Sequence, residues 1–285
     1  MKYIILCIII LFPFLIFANR YHNRADQLWN QAERLRIQKK YPEAIEKYKQ
    51  SARAEKRSRN IRNKEFIAKI NRIALLYNKM RKFKRSLRYY KISVKASRKF
   101  SETIEEMKAL KNVAYIYYKI NKLKQSIRFN KLSLRIAKRL GKKDMQAYIL
   151  NRIGRVYRIT RDYKLSLKYY KQALIIIRRM GREYNKAIML SNIGTVYFFS
   201  KKYNDAIDYF LRALDIDKKL KREKDMSIDY SNLGTVYIAV GNFGKGFSYF
   251  QTALAIDKRL GLKSNIAARM NKIGDIYSFM RPKKA

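Results

Sequence analysis

The sequence predicts an all-α protein: an α-solenoid, a right-handed superhelix of antiparallel helix pairs, preceded by an N-terminal hydrophobic signal or anchor segment. Three observations predict it. The apolar residues Tyr41, Phe83, Leu123, Tyr163, Tyr203 and Phe243 recur at spacings of 42, 40, 40, 40 and 40. Small and aromatic residues recur at fixed phases between them. Helix breakers are scarce, with 3 Pro and 10 Gly in 285 residues. One helix pair cannot bury its own apolar stripe, but stacked pairs share a continuous core, and a fixed period of this length is the mark of such stacking.

The N-terminal segment comes first. Met1 and Lys2 precede an apolar run from Tyr3 to Ala18, shorter than the roughly 20 residues a spanning helix needs. Small Ala18 stands where a signal peptidase cuts. The expected division is therefore a signal peptide or membrane anchor over 1–18 and the repeat array over 19–285. The expected location is outside the cytoplasm, periplasmic or secreted. Arg20, Arg24, Arg34 and Arg36 just beyond the run supply the alternative, an uncleaved helix that anchors the protein to the membrane with the array on the cytoplasmic side. The only cysteine, Cys7, lies inside the run, so cleavage removes every disulfide or thiolate function.

The first helices of the pairs are marked by a large residue beside a small one: Ile73-Ala74, Val113-Ala114, Ile153-Gly154, Ile193-Gly194, Leu233-Gly234 and Ile273-Gly274. A tyrosine follows three residues after the small one, at Tyr77, Tyr117, Tyr157, Tyr197, Tyr237 and Tyr277. In the second helices a small residue recurs at Ala44, Ser86, Ser126, Ser166, Ala206 and Gly246, with an aromatic four later at Tyr48, Tyr90, Tyr170, Phe210 and Phe250; Asn130 alone breaks that column. Residues three and four apart share a helix face, so the small residues are where two helices approach and the aromatics fill the gap. Gly141, Gly181 and Gly261, with Ser101 and Lys221 at the same phase, mark left-handed C-caps. Six pairs and a lone capping helix, Asn265 to Met280, account for the array.

This set of positions resembles the tetratricopeptide repeat in its forty-residue form. The phrase N-[IL]-G-x-V-Y followed by Y-x-x-A-I-x-Y-F-x-x-A-L is similar to versions found in kinesin light chain and in bacterial sensory and scaffold proteins, and the likeness runs over about residues 24–280. The resemblance implies a concave face lined by the first helices that binds a protein or peptide. Carried over residue by residue, the groove comprises Arg72, Lys108, Lys111, Asn112 and Tyr115, then Asn151, Arg152, Arg155 and Arg158, then Asn192, Thr195, Asn232 and Thr235. An Asn amide can pair with an extended backbone without reading its sequence, and Arg or Lys adds charge-assisted bonds to carboxylates.

The formal charge is +46, from 67 Lys and Arg against 21 Asp and Glu. Residues 1–180 carry +37 of it and residues 181–285 carry +9. An anionic partner relieves the self-repulsion of such a surface. The function expected is a protein–protein interaction scaffold that takes a partner protein or acidic peptide in its concave face. The alternative is a basic polyanion binder for nucleic acid, an anionic membrane surface or a cell-envelope polymer, with nucleic acid disfavoured if the chain is exported. Enzymatic chemistry is not expected. The single histidine, His22, reads as a solvated flank residue, and no His or Cys cluster has metal-ligand spacing. Gly241 to Gly246 lacks the strand and Lys-Ser/Thr of a phosphate loop, and Glu102, Glu105 and Glu106 suit a helix N-terminus. No cofactor or metal is implied.

Overall fold

The computed structural model describes the backbone of residues 2–58 and 61–280, and the side chains of residues 20–58 and 61–279. Thirteen α-helices and no strand occur among the described residues. The chain divides into two compact units, residues 1–141 and 142–285. The first holds α1 (Lys2–Ile37), α2 (Tyr41–Arg57), α3 (Asn63–Lys79), α4 (Phe83–Lys99), α5 (Thr103–Lys119) and α6 (Leu123–Arg139). The second holds α7 (Lys143–Ile159), α8 (Tyr163–Arg179), α9 (Glu183–Phe199), α10 (Tyr203–Lys219), α11 (Glu223–Ala239), α12 (Phe243–Arg259) and α13 (Lys263–Met280). In each unit a helix packs on the next, and first helices of neighbouring repeats also touch, α3 on α5 and α9 on α11.

The turns other than the α2–α3 connection each use a left-handed residue. Gly141, Gly181 and Gly261 have φ of 64, 63 and 65°, and Ser101 and Lys221 follow them at 55 and 53°. A second left-handed set, Lys39, Arg81, Asn121, Arg161, Lys201 and Gly241, turns the chain inside each pair. At Lys201 the next amide, Lys202 N–H, donates 2.9 Å back to the Tyr197 carbonyl, which satisfies the end of α9 in a Schellman arrangement.

The columns meet as expected. Tyr48 and Tyr170 are fully buried, and Phe210 and Phe250 nearly so. The serines of the small column do more than leave room. Ser86, Ser126 and Ser166 hydroxyls donate 2.8, 2.9 and 2.8 Å to the carbonyls of Ala74, Ala114 and Gly154, bonding the two helices of a pair. The recurrent tyrosines stack on a column that the sequence reading passed over: Tyr77 on Tyr89, Tyr117 on Phe129, Tyr157 on Tyr169 and Tyr237 on Tyr249, with centroids 5.3–5.5 Å apart.

Asn130 fills the aromatic column of the third repeat. It is fully buried; its amide donates 3.0 Å to the Ser126 carbonyl, and its Oδ1 has no partner. An orphaned buried acceptor costs about 1–3 kcal/mol. Tyr90 occupies the equivalent place opposite Ala74, as Asn130 lies opposite Ala114. Asn130→Tyr is therefore expected to raise stability by roughly 1 kcal/mol or more, read as a higher urea midpoint.

One expectation changes. His22 is not a solvated flank residue: it lies in α1, its Nε2 is 2.9 Å from Ser58 Oγ and 3.4 Å from Glu55, and its side chain is 17% exposed. Helix α1 runs unbroken from Lys2 to Ile37. The closing helix α13 covers the preceding repeat but leaves Met270, Tyr277 and Phe279 exposed. The signal or anchor segment over 1–18 lies outside the described side chains. Among the described residues no helix is long and apolar enough to cross a membrane.

Candidate functional site

The first helices α3, α5, α7, α9 and α11 carry the predicted groove positions, which are half-buried apart from the exposed Lys108. Their neighbours on the helix are the core columns, so the ridge that buries Ile153 and Gly154 also holds Asn151, Arg152 and Arg155 at the surface.

In the first unit Arg72 is already engaged. Its Nε lies 3.1 Å from Glu33 and its guanidinium stands 5.8 Å from the Trp29 ring centroid. Glu33 also accepts from Tyr48. Burial acts to raise the Glu33 carboxyl, but the bonds from Tyr48 and Arg36 and the charge of Arg72 outweigh it and hold it below the usual value. Burial together with the bond to Glu33 pushes the Tyr48 phenol far up. Lys108 pairs with Glu105 at 2.7 Å. Tyr115 lines a cleft of about 450 Å³ with Asn78, Lys79, Arg81, Phe83 and Lys119. Three cations and no acid surround that cleft, a setting suited to a carboxylate. Lys111 and Asn112 lie on the same helix as Tyr115, half-buried.

In the second unit the predicted polar row is linked from helix to helix. Asn192 Nδ2 donates 3.3 Å to Asn151 Oδ1, and Asn232 Nδ2 donates 3.4 Å to Ser191 Oγ. Thr195 and Thr235 turn their hydroxyls onto the Ser191 and Ser231 carbonyls, at 2.9 and 2.8 Å, so they contribute methyl groups rather than free donors. Arg152 donates 3.0 Å to the Tyr148 hydroxyl and stands 5.6 Å from that ring's centroid; Arg158 stands 5.6 Å from the Phe199 centroid. A cleft of about 220 Å³ opens beside this row, with Asp144, Tyr148, Asn151, Arg182 and Asn185 around an apolar floor of Ile177, Met180, Ile188 and Met189.

Tyr148, Phe199, Arg182 and Asn185 escaped sequence reasoning. Tyr148 was findable, since it lies four residues before Arg152, one turn along the same face. Phe199 and Arg182 close the site from neighbouring elements, which no spacing reveals. The Gly241–Gly246 segment is structural: Gly241 is a left-handed turn residue at φ 79° and Gly246 lies in the α11–α12 contact. Among the described residues no group of three or more His, Cys, Asp or Glu side chains could hold a metal ion.

With this geometry in place, comparison with known proteins adds a family match over part of the chain. Residues 145–219 match the family model described as tetratricopeptide repeat. No curated protein matches the chain significantly. Among solved structures the chain is similar to BtubC (BKLC) from P. vanneervenii, with 21% identity over 86% of this chain and 92% of that one and a TM-score of 0.64. It is similar to a signal transduction ATPase (STAND) protein with a tetratricopeptide repeat sensor from Pyrococcus horikoshii, at 15% identity and TM-score 0.68, covering 95% of this chain and 45% of that one. The apo quorum sensor NprR from B. thuringiensis aligns at 15% identity and TM-score 0.66, over 91% of this chain and 72% of that one. At these identities the structural likeness is one of fold.

Proposed function

From the premise that this chain is a tetratricopeptide-repeat protein, we propose that it is an interaction scaffold, not an enzyme, whose first helices hold a partner protein through an extended acidic segment. The observation that carries this is the pair of clefts beside the first helices. In the first unit the lining is cationic, with Lys79, Arg81 and Lys119. In the second unit an apolar floor is rimmed by Asn151, Asn185 and Arg182. Carboxylates suit the former; a backbone amide with an apolar side chain suits the latter. The sensor roles named for two structural neighbours fit a protein that reports on a bound partner.

A second reading has its own observation. On α4, Lys84, Arg85, Arg88, Lys91, Lys95, Arg98 and Lys99 are exposed and no acid is; on α6 the same holds for Lys124, Arg128, Lys131, Arg135, Lys138 and Arg139. The comparable faces of α10 mix Asp205, Asp208 and Asp215 with Arg212, Lys218 and Lys219. A face of cations alone favours an extended anion, such as a lipid surface or envelope polymer.

One experiment separates the readings. The double change Lys79→Ala and Lys119→Ala, exposed cations of the first cleft, is expected to weaken binding of an Asp/Glu-rich peptide by about tenfold or more, leaving the melting temperature unchanged. Binding that is indifferent to these changes but falls steeply with log salt, near −0.9 per phosphate for duplex DNA, would favour the polyanion reading. The proposed location is outside the cytoplasm after cleavage behind Ala18, with the uncleaved anchor as alternative. A mature N-terminus other than Asn19 in the exported fraction would refute the first.

A further inference from the structure

At the joints within each unit, one buried position of the second helix corresponds to one position of the next repeat's first helix. The first joint sets Glu55 against Lys69, with Lys69 Nζ 3.0 Å from Glu55 Oε2. The last sets Asp257 against Arg269, Nε to Oδ2 3.4 Å. The positions between them carry Ser97 with Ala109 and Ile177 with Met189, small or apolar pairs. The joint between α10 and α11 departs from both solutions: it sets Asp217 against Asp229, two acids that are 4% and 2% exposed.

We propose that this joint is a proton-operated latch, in which one proton shared between Asp217 and Asp229 locks the fifth repeat onto the sixth and its loss loosens the contact. The geometry demands the proton. The two buried carboxyls act on each other across the joint, and a hydrogen bond between them needs a proton, since neither has one to donate when both are ionised. Asp217 Oδ1 and Asp229 Oδ2 are buried with no hydrogen-bond partner. The surroundings give little cationic relief. Arg222 attracts Asp217 but is itself held by Asp225 at 2.7 Å and lies on the Tyr184 ring of α9, 3.6 Å from its centroid. Lys218 of α10 stands against Tyr230 of α11. From α12 comes Asp257, a further acid, which takes the Ser227 hydroxyl at 2.7 Å. Burial pushes the Asp229 carboxyl up to about 8, helped by the charges of Asp217 and Asp225 and opposed by the Ser191 hydroxyl. Burial and the charge of Asp225 push Asp217 up to about 6.

The latch reaches the inner face. Ser191 lies beside Asp229, where its hydroxyl favours the ionised carboxyl, and its oxygen accepts from Asn232, one of the groove asparagines, so the pair is linked to the inner face through Ser191. A raised acid binds its proton more tightly folded than unfolded. Its stabilisation is complete below the unfolded value near 3.9 and is lost as pH rises through the folded value. The window is therefore about pH 4–8, with stability falling upward. No ligand is involved, so the latch stands or falls apart from the peptide reading.

The test is thermal melting of the full chain between pH 5 and 9, with the side-chain amide signal of Asn232 followed by NMR. The melting temperature is expected to fall by about 5 °C or more between pH 6 and 8.5, while the Asn232 signal moves over the same range. Asp229→Asn should flatten both and melt above the wild type at pH 8.5. Asp229→Arg, which copies the acid–base order of Asp257 and Arg269, should also be flat. Should Asp229→Asn fail to fold, Asp217→Asn gives the same reading. A wild-type melting temperature that is level or rises across this range, or a slope unchanged in Asp217→Asn and Asp229→Asn, overturns the latch.

Discussion

Gly154→Leu is expected to unfold the fourth repeat and lower the stability of the chain by about 3 kcal/mol or more. A Cβ placed on Gly154 would stand 2.9 Å from both Cδ1 and Cε1 of Tyr170. Those atoms belong to a rigid ring that is fully buried, so the ring cannot swing aside without carrying α8 with it. Gly194 meets Phe210 at 3.0 Å and Gly234 meets Phe250 at 3.0 Å in the same way. The fourth member of that sequence column behaves differently. Gly274 in α13 has nothing within 4 Å of its Cβ position, so Gly274→Ala should gain the helix propensity of alanine, about 1 kcal/mol. Circular dichroism melts of the two variants should therefore move in opposite directions. A Gly154→Leu chain that melts with the wild type would show that Tyr170 does not sit against α7.

Glu55→Ala is expected to destabilise the first unit by about 3–5 kcal/mol. Glu55 is fully buried and its two oxygens take bonds from Arg62 Nε and Nη2 at 3.1 and 2.9 Å and from Lys69 Nζ at 3.0 Å. Lys69 is 3% exposed, so truncating the acid strands a buried ammonium, with the Trp29 ring 5.7 Å away. Changing both, Glu55→Leu with Lys69→Leu, should recover most of the loss, because two apolar side chains leave no uncompensated charge. Burial acts to raise the Glu55 carboxyl, but the bonds from Arg62 and Lys69 overcome it and the net shift is downward. A lowered acid stabilises above its unfolded value near 4.3 and loses that contribution as pH falls through the folded value. The gap between wild type and Glu55→Ala in urea midpoint should therefore narrow below about pH 4. This is the opposite sign from the Asp217–Asp229 joint, so one chain carries an acid-sensitive joint near its start and a base-sensitive one near its end. An equal gap at pH 3 and pH 7 would sink the account.

The two joints explain what could and could not be read from residues alone. Glu55, Lys69, Asp217 and Asp229 are all charged letters in a chain rich in them, and nothing in their spacing separates them from exposed neighbours such as Glu46 or Lys84. Each lies at a phase that faces another repeat, and the partner sits 12 to 14 residues away on the next helix. The groove shows the same division. Asn151, Asn192 and Asn232 were legible because they recur beside the core columns. That Asn192 and Asn232 bond the neighbouring first helix, that Arg72 is occupied by Glu33, and that Phe199 stands over Arg158 depends on side chains from different repeats.

Period and phase by themselves determined the helices, their pairing and most of the core, because an α-helix places every third and fourth residue on one face and a repeat copies that face unchanged. The tertiary structure decided what each face meets. It made Gly154 a contact and Gly274 an empty space, His22 a partner of Ser58 and Glu55, and two aspartates a pair. The physical reason is that helix periodicity is a local property, whereas burial, charge pairing and the proton affinity of a carboxyl are set by atoms brought near only when one repeat is laid on another.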